Sequence, residues 1–112
     1  KDEKNYLIYS SLIKLIKIRK KQPAFHPNAT QFTLQLDNDF FGIWRQSIDK
    51  SQSIFCINNL TKLKKKISLL DINLISTDSW FDLISKKKLK SIDGDLIFTP
   101  YQTYWISNKR NY

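Results

Sequence analysis

Apolar residues recur along this chain at two different periods, and the change of period divides it. Over residues 4–21 the spacing is three and four. Tyr9, Leu12, Ile13 and Ile16 run along one face toward Lys20, with Ile8 and Leu15 beside them. That spacing predicts an amphipathic helix. Lys14, Lys17 and Lys21 line another face, and Arg19, Lys20 and Lys21 gather in the last turn, where cations suit the negative helix end. Gln22-Pro23 should end it, because the residue before a proline is pushed out of the helical region.

After Pro27 the period becomes two. Gln31-Phe32-Thr33-Leu34-Gln35-Leu36 alternates polar and apolar, as a half-buried strand does. Asp37-Asn38-Asp39 predicts a turn, residues 40–47 a second strand, Asp49-Lys50-Ser51 another turn, and residues 52–58 a third strand with an apolar centre. Residues 64–70 alternate again, and residues 80–84 fit a short strand. Lys86-Lys87-Lys88-Leu89-Lys90 reads as a basic loop leading to the turn Asp93-Gly94. Residues 95–99 and 103–107 are two closing strands bent at Pro100. The prediction is a mainly β domain, an antiparallel sheet or small β-sandwich, preceded by one N-terminal helix.

Composition adds less than the pattern. The chain has 112 residues, enough for one core. Apolar stretches are broken by charges within a few residues, so neither a membrane span nor a signal peptide is expected. Residue 1 is Lys and Met is absent, so the natural start is expected upstream. The net charge of +9 raises the question of nucleic acid. However, the cations are 16 Lys against 3 Arg, alongside 15 Ile and no Val. An AT-rich coding bias produces that mixture without selection for a partner, and Arg is the residue that forks onto phosphate and guanine. No nucleic-acid partner is expected. Two Asn-x-Thr sequons, at Asn28 and Asn59, arise readily by chance, and the lone Cys56 forms no internal disulfide. A reducing, cytoplasmic setting is expected.

Chemistry-bearing side chains are sparse. One histidine, His26, and one cysteine, Cys56, fall short of a closed zinc site. His26 is read as a hydrogen-bonded junction residue and Cys56 as a small hydrophobe. The single Glu3 leaves no carboxylate pair of the glycosidase kind with its neighbours. Asp37, Asp39, Asp49, Asp71, Asp78, Asp93 and Asp95 mostly sit at predicted turns, where Asp caps its own backbone. Asp82, inside Trp80-Phe81-Asp82-Leu83, is the one acid set among aromatics. Trp44, Trp80, Trp105, Tyr101 and Tyr104 could stack on sugars or bases, but a small β domain needs them first for packing. Lys64-Lys65-Lys66 and Lys86-Lys87-Lys88 are read as solvated faces. Only Gly42 and Gly94 occur, so a Gly-rich phosphate cradle is excluded. No catalytic, cofactor-binding or metal-binding residue is assigned.

Taken in order, five segments resemble a known family. Leu12-Ile13-Lys14-Leu15-Ile16-Lys17-Ile18-Arg19 followed by Pro23-Ala24-Phe25-His26-Pro27 is similar to the junction between barrel and C-terminal domain in glycoside hydrolase family 13, the α-amylase superfamily. Phe40-Phe41-Gly42-Ile43-Trp44-Arg45-Gln46-Ser47 resembles that domain's first hairpin, with its Phe-x-x-x-x-Arg-x-Ser pattern. Asn59-Leu60-Thr61, Trp80-Phe81-Asp82-Leu83 and Pro100-Tyr101-Gln102-Thr103-Tyr104-Trp105 match later segments, the last pointing toward sucrose phosphorylase and its relatives. The resemblance implies that residues 1–22 are the terminal helix of a (β/α)8 barrel and residues 23–112 a C-terminal β domain. It further implies a retaining α-glucoside phosphorylase or hydrolase as parent, whose catalytic carboxylates lie on the barrel. This segment would be non-catalytic, with its own barrel as partner. Without the barrel, the helix is expected to fold back on the sheet or to pair with a second copy. Two other readings stand beside this one: a basic β domain binding single-stranded nucleic acid, and a carbohydrate-binding module with Trp80 and Tyr104 facing solvent.

Overall fold

The computed structural model describes residues 3–72, 74 and 79–110. Helix α1 spans Glu3–Lys20, ending at the predicted stop, and a 3-10 turn follows at Pro23–Phe25. Among the described residues, eight strands come next: β1 (Thr30–Thr33), β2 (Phe40–Gln46), β3 (Ser53–Asn59), β4 (Lys65–Ser68), β5 (Phe81–Asp82), β6 (Lys87–Lys88), β7 (Asp95–Phe98) and β8 (Thr103–Ser107). Six of them form one antiparallel sheet in the order β1-β2-β3-β8-β5-β6, and β4 pairs with β7 in a separate two-stranded ribbon. The architecture is mainly β with one helix, as the alternation predicts.

The central strand β3 is flanked by β2 and β8, in registers such as Trp44↔Phe55 and Phe55↔Ile106. Its continuous apolar run is explained by burial on both faces. Phe55 and Ile57 join the larger core, with Phe40, Ile106, and Ile67, Leu96 and Phe98 of the β4–β7 ribbon. Ile54 and, partly, Cys56 face the other way, toward Ile18 of α1, Ala24 and Leu83. The molecule is therefore layered as ribbon, sheet and helix. Phe98 packs edge-on against Phe40 and Tyr104, at 5.1 and 4.7 Å between centroids. A second aromatic series, Phe32–Trp44–Phe55–Trp80, crosses three strands.

Several local expectations are corrected. The strand at 31–36 is a strand only over Thr30–Thr33; the Leu34 N–H still bonds the Gly42 carbonyl at 2.9 Å, and Leu34 and Leu36 pack on the larger core. Gly42 makes room for them: a Cβ there would lie 2.8 Å from Leu36 Cδ1 and 3.1 Å from Leu34 Cδ1. The expected basic loop at 86–90 contains strand β6, turned by Lys86 at φ 59° and paired to Phe81 and Asp82. Its paired lysines guard that sheet edge against further strand addition. The two closing strands form as read, and their partners are distant: β7 pairs with β4, and β8 with β3 and β5. The turn at Asp93-Gly94 forms as read, with both residues at positive φ and Ile92 bridged to Asp95. Asp78 and the side chains of Glu3, Ile8 and Tyr9 lie outside the described residues.

The face of α1 is also corrected. Leu12 and Ile16 point to solvent at 53% and 49% exposure, whereas Ile18 is 6% exposed and Leu15 half-buried. The helix carries apolar residues on two sides. The side that the β domain buries is the one fixed by the junction after Lys20.

Candidate functional site at the helix–sheet junction

The most elaborate polar chemistry of the fold lies where α1 meets the sheet. Gln52, fully buried just before β3, supplies three hydrogen bonds there. Its Oε1 accepts the Ala24 N–H at 3.0 Å, and its Nε2 donates to Gln22 Oε1 at 2.6 Å and to Ser107 Oγ at 3.1 Å. Gln22, also buried, donates in turn to the Ile18 carbonyl at 2.9 Å. These bonds satisfy the backbone that the helix end leaves over, which burial would otherwise penalise.

Arg45 closes the junction from β2. Its Nε donates to the Ala24 carbonyl at 2.8 Å, one Nη to the His26 carbonyl at 2.7 Å, and the other to Gln31 Oε1. A rigid guanidinium fork can hold three acceptors in one plane, which lysine cannot. Ser47, two residues on, accepts the Gln52 N–H at 2.9 Å. Its hydroxyl also donates to Asp49 Oδ1, which takes the Ser51 N–H and hydroxyl as well. Those bonds, the Ser51 N–H foremost, pull the Asp49 carboxyl from 3.8 down to about 2. Beside the junction lies an open cleft of about 460 Å³ between α1 and the sheet, lined by Leu15, Arg19, Phe41, Ile43, Cys56 and Trp105 among others.

The other motif positions are likewise spent on holding loops. Asn59 donates to the Leu63 and Thr99 carbonyls at 2.8 and 3.0 Å and accepts from the Thr61 N–H and hydroxyl. One side chain thus joins the β3–β4 and β7–β8 loops. Gln102 Oε1 accepts the Thr99 N–H at 2.8 Å, and Tyr104 donates to the Ile97 carbonyl at 2.8 Å. Asp82, the acid singled out above, accepts from the N–H groups of Ile84, Ser85 and Trp105. It is a turn anchor between β5 and β8. Burial first, and the Asp82 charge second, hold the Tyr104 phenol above its ordinary value.

The remaining candidates are dispersed. His26 is exposed and accepts the Asn28 N–H at Nδ1, 3.1 Å away, which makes it the junction residue expected. Cys56 packs beside Trp105, and burial pushes its thiol up to about 12 despite the opposing charges of Arg45 and Arg19. Trp80 and Tyr104 do not face solvent together. Both pack against the larger core, which removes the platform that the carbohydrate-module reading needs. Tyr101 is the exposed aromatic of that segment. Of the lysine runs, Lys65 pairs with Asp39 at 2.9 Å and Lys66 with Asp95 at 3.6 Å, while Lys86, Lys87 and Lys88 are exposed. Among the described residues, no three His, Cys, Asp or Glu side chains gather into a metal-binding group, and no helix is long and apolar enough to cross a membrane. Sequence reading missed Gln52 and Gln22. Gln22 is legible only as part of the helix stop, and nothing local marks Gln52, whose side-chain partners lie 28 to 55 residues away.

No protein-family model matches the chain. Glucosylglycerate phosphorylase of Allomeiothermus silvanus is 34% identical over 92 residues, which cover 82% of this chain and 14% of that enzyme. The crystal structure of AmyP in complex with maltose superposes with a TM-score of 0.76 at 15% identity, over 96% of this chain and 22% of that one. An Anoxybacillus α-amylase gives 0.68 at 19% identity, over 88% and 22%. The chain therefore spans about a fifth or less of the length of each. The ordered motifs have become the loop anchors and junction clamps of the same β domain, and on that convergence the chain belongs to glycoside hydrolase family 13, the α-amylase superfamily, as a C-terminal domain of its kind.

Proposed function

We propose that this chain is the non-catalytic accessory domain of an enzyme that transfers a glucosyl group from an α-glucoside, sucrose or a glucosylglycerate-like compound, to phosphate. The observation that carries the reading is where the polar side chains go. Arg45, Gln52, Asn59, Asp82 and Gln102 each spend hydrogen-bonding atoms on backbone and side chains of the same fold, as parts of a scaffold do. A catalytic pair would instead present free oxygens to a cleft. The share of each relative that the chain spans supports a separate catalytic portion on the same polypeptide. In this reading α1 is the shared element, rooted in the β domain by Gln52 and Arg45 and leaning on the catalytic barrel by its other side. A cytoplasmic setting fits an enzyme that consumes phosphate, and fits a thiol such as Cys56 left unpaired.

The test has two arms. The 112-residue chain, given sucrose or glucosylglycerate with phosphate, should release no glucose 1-phosphate; release would refute the non-catalytic role. The longer polypeptide that carries this segment should release it, and only when phosphate is present. Hydrolysis independent of phosphate would move the parent to the hydrolases.

A further inference from the structure

Of the described strands, only β1, β3 and β8 contain no charged residue. Strands β3 and β8 lie inside the sheet with a neighbour on each side, where a charge is costly to bury. Strand β1 matches them in composition but lies at the end of the sheet, with β2 on one side and an open edge on the other. The opposite end is β6, whose Lys87 and Lys88 guard it against strand addition. No such guard stands at β1, since residues 27–36 are neutral throughout.

The backbone of β1 decides which of its groups lie open. The Leu34 N–H bonds the Gly42 carbonyl, and Phe32 lies opposite Trp44. Bonded residues alternate in an antiparallel ladder, so Thr30 and Phe32 turn their backbone groups to β2. Gln31 and Thr33 turn theirs to the open edge. The Phe32 side chain, 49% exposed, is the outer end of the aromatic series that runs back through Trp44 and Phe55 to Trp80.

We propose that β1 pairs with β1 of a second copy, antiparallel and about a two-fold axis at Phe32, joining the two sheets edge to edge. The outward groups set the register. Gln31 exchanges its N–H and carbonyl bonds with Thr33 of the second copy, and Thr33 with Gln31 of the second copy. Phe32 faces its own counterpart as the close pair without hydrogen bonds, and the aromatic series runs unbroken from one copy into the other. The strand thus complements itself: open backbone meets open backbone, ring meets ring, and no charge is brought against another. The pairing uses up the open edge of each copy, so the assembly closes as a dimer. A contact over one short strand falls below the ~1,200 Å² of stable interfaces, which makes the dimer a weak one. The proposal does not depend on the accessory-domain reading.

Sedimentation equilibrium of the 112-residue chain should show a monomer–dimer equilibrium with no larger species. Two copies of charge +9 repel, so the dimer should tighten as salt is raised. Thr33→Pro removes only an outward N–H at an edge position, where proline is tolerated. It should weaken association about tenfold or more, because symmetry loses the bond twice, while the amide shifts of β2 stay in place. Phe32→Cys tests the register without that variant. Residues of a close antiparallel pair lie ~4.5 Å apart at Cα, within disulfide reach. The Thr30 residues of the two copies would lie ~13 Å apart. Under oxidised glutathione, Phe32→Cys should therefore form a linked dimer about tenfold faster than Thr30→Cys. A chain that stays monomeric at millimolar concentration, equal linking rates at the two positions, or a dimer unaffected by Thr33→Pro would overturn the proposal. The longer polypeptide that carries this segment should link through Phe32→Cys in the same way. If it stays unlinked while active, its own chain covers the edge: the proposal then falls, and the accessory role stands.

Discussion

Replacing Gln52 by alanine should detach α1 from the sheet while leaving the sheet paired. The side chain is fully buried and makes three hydrogen bonds, to Ala24 N, Gln22 Oε1 and Ser107 Oγ. Each is worth about 1 kcal/mol net, and a buried Ala24 N–H left without an acceptor adds its desolvation penalty of ~1 kcal/mol. A small polar cavity left behind adds little if water enters it. The total is about 3–4 kcal/mol, against the roughly 5–15 kcal/mol by which such domains are stable. For a domain of this size that corresponds to a fall in Tm of about 12–16 °C. Chemical denaturation and calorimetry measure the loss, and hydrogen exchange locates it: the Ala24 amide should lose protection while the amides of β3 and β8 keep theirs. A double-mutant cycle with Gln22→Ala should show coupling of about 1 kcal/mol, since one bond joins the two side chains. A Tm change below about 3 °C, or loss of protection spread evenly through the sheet, would refute the view that this glutamine is the junction's main clamp.

Three further expectations follow from the same contacts. Gly42→Ala should cost about 1–2 kcal/mol, because its methyl would press on Leu36 and Leu34, whose side-chain ends can shift only partly in the core; urea unfolding checks it, and a neutral result would mean that the β1–β2 loop repacks freely. Cys56, with its thiol held near 12, should resist alkylation at pH 8 in the folded chain and react at once in denaturant; labelling of the native protein at the rate of a free thiol would contradict its burial. Asp49, held near 2 in the folded chain against an ordinary 3.8, contributes stability that is present above 3.8 and lost as pH falls toward 2. Carboxyl titration by NMR should place its midpoint there, and Asp49→Asn should flatten the acid limb of the stability profile slightly, the group being exposed.

Residues 4–21 announced a helix and its end, because periodicity and a proline act over a few residues and need no distant partner. The turns bounding residues 40–47 and 52–58, with the apolar centre of the latter, likewise gave β2 and β3 almost to their ends, and Asp93-Gly94 formed its turn from its own φ preferences. The order of motifs was enough to point to the family, because it depends on the sequence of short local patterns and not on which of them meet. What local pattern could not carry was every choice between partners. Lys87 and Lys88 became a strand only because Phe81 and Asp82 offered an edge. Strand β7 left its sequence neighbour β8 for β4, some thirty residues back, because the larger core lies between ribbon and sheet. The helix had two apolar sides, and periodicity favoured Leu12 and Ile16. The junction decided otherwise: Gln52 and Arg45 fix the path after Lys20, and that path turns Ile18 toward the sheet. Those clamps join residues 21 to 55 positions apart. Each is an ordinary polar side chain in its own neighbourhood, and acquires its role only when the folded chain brings a buried, unsatisfied backbone group to it.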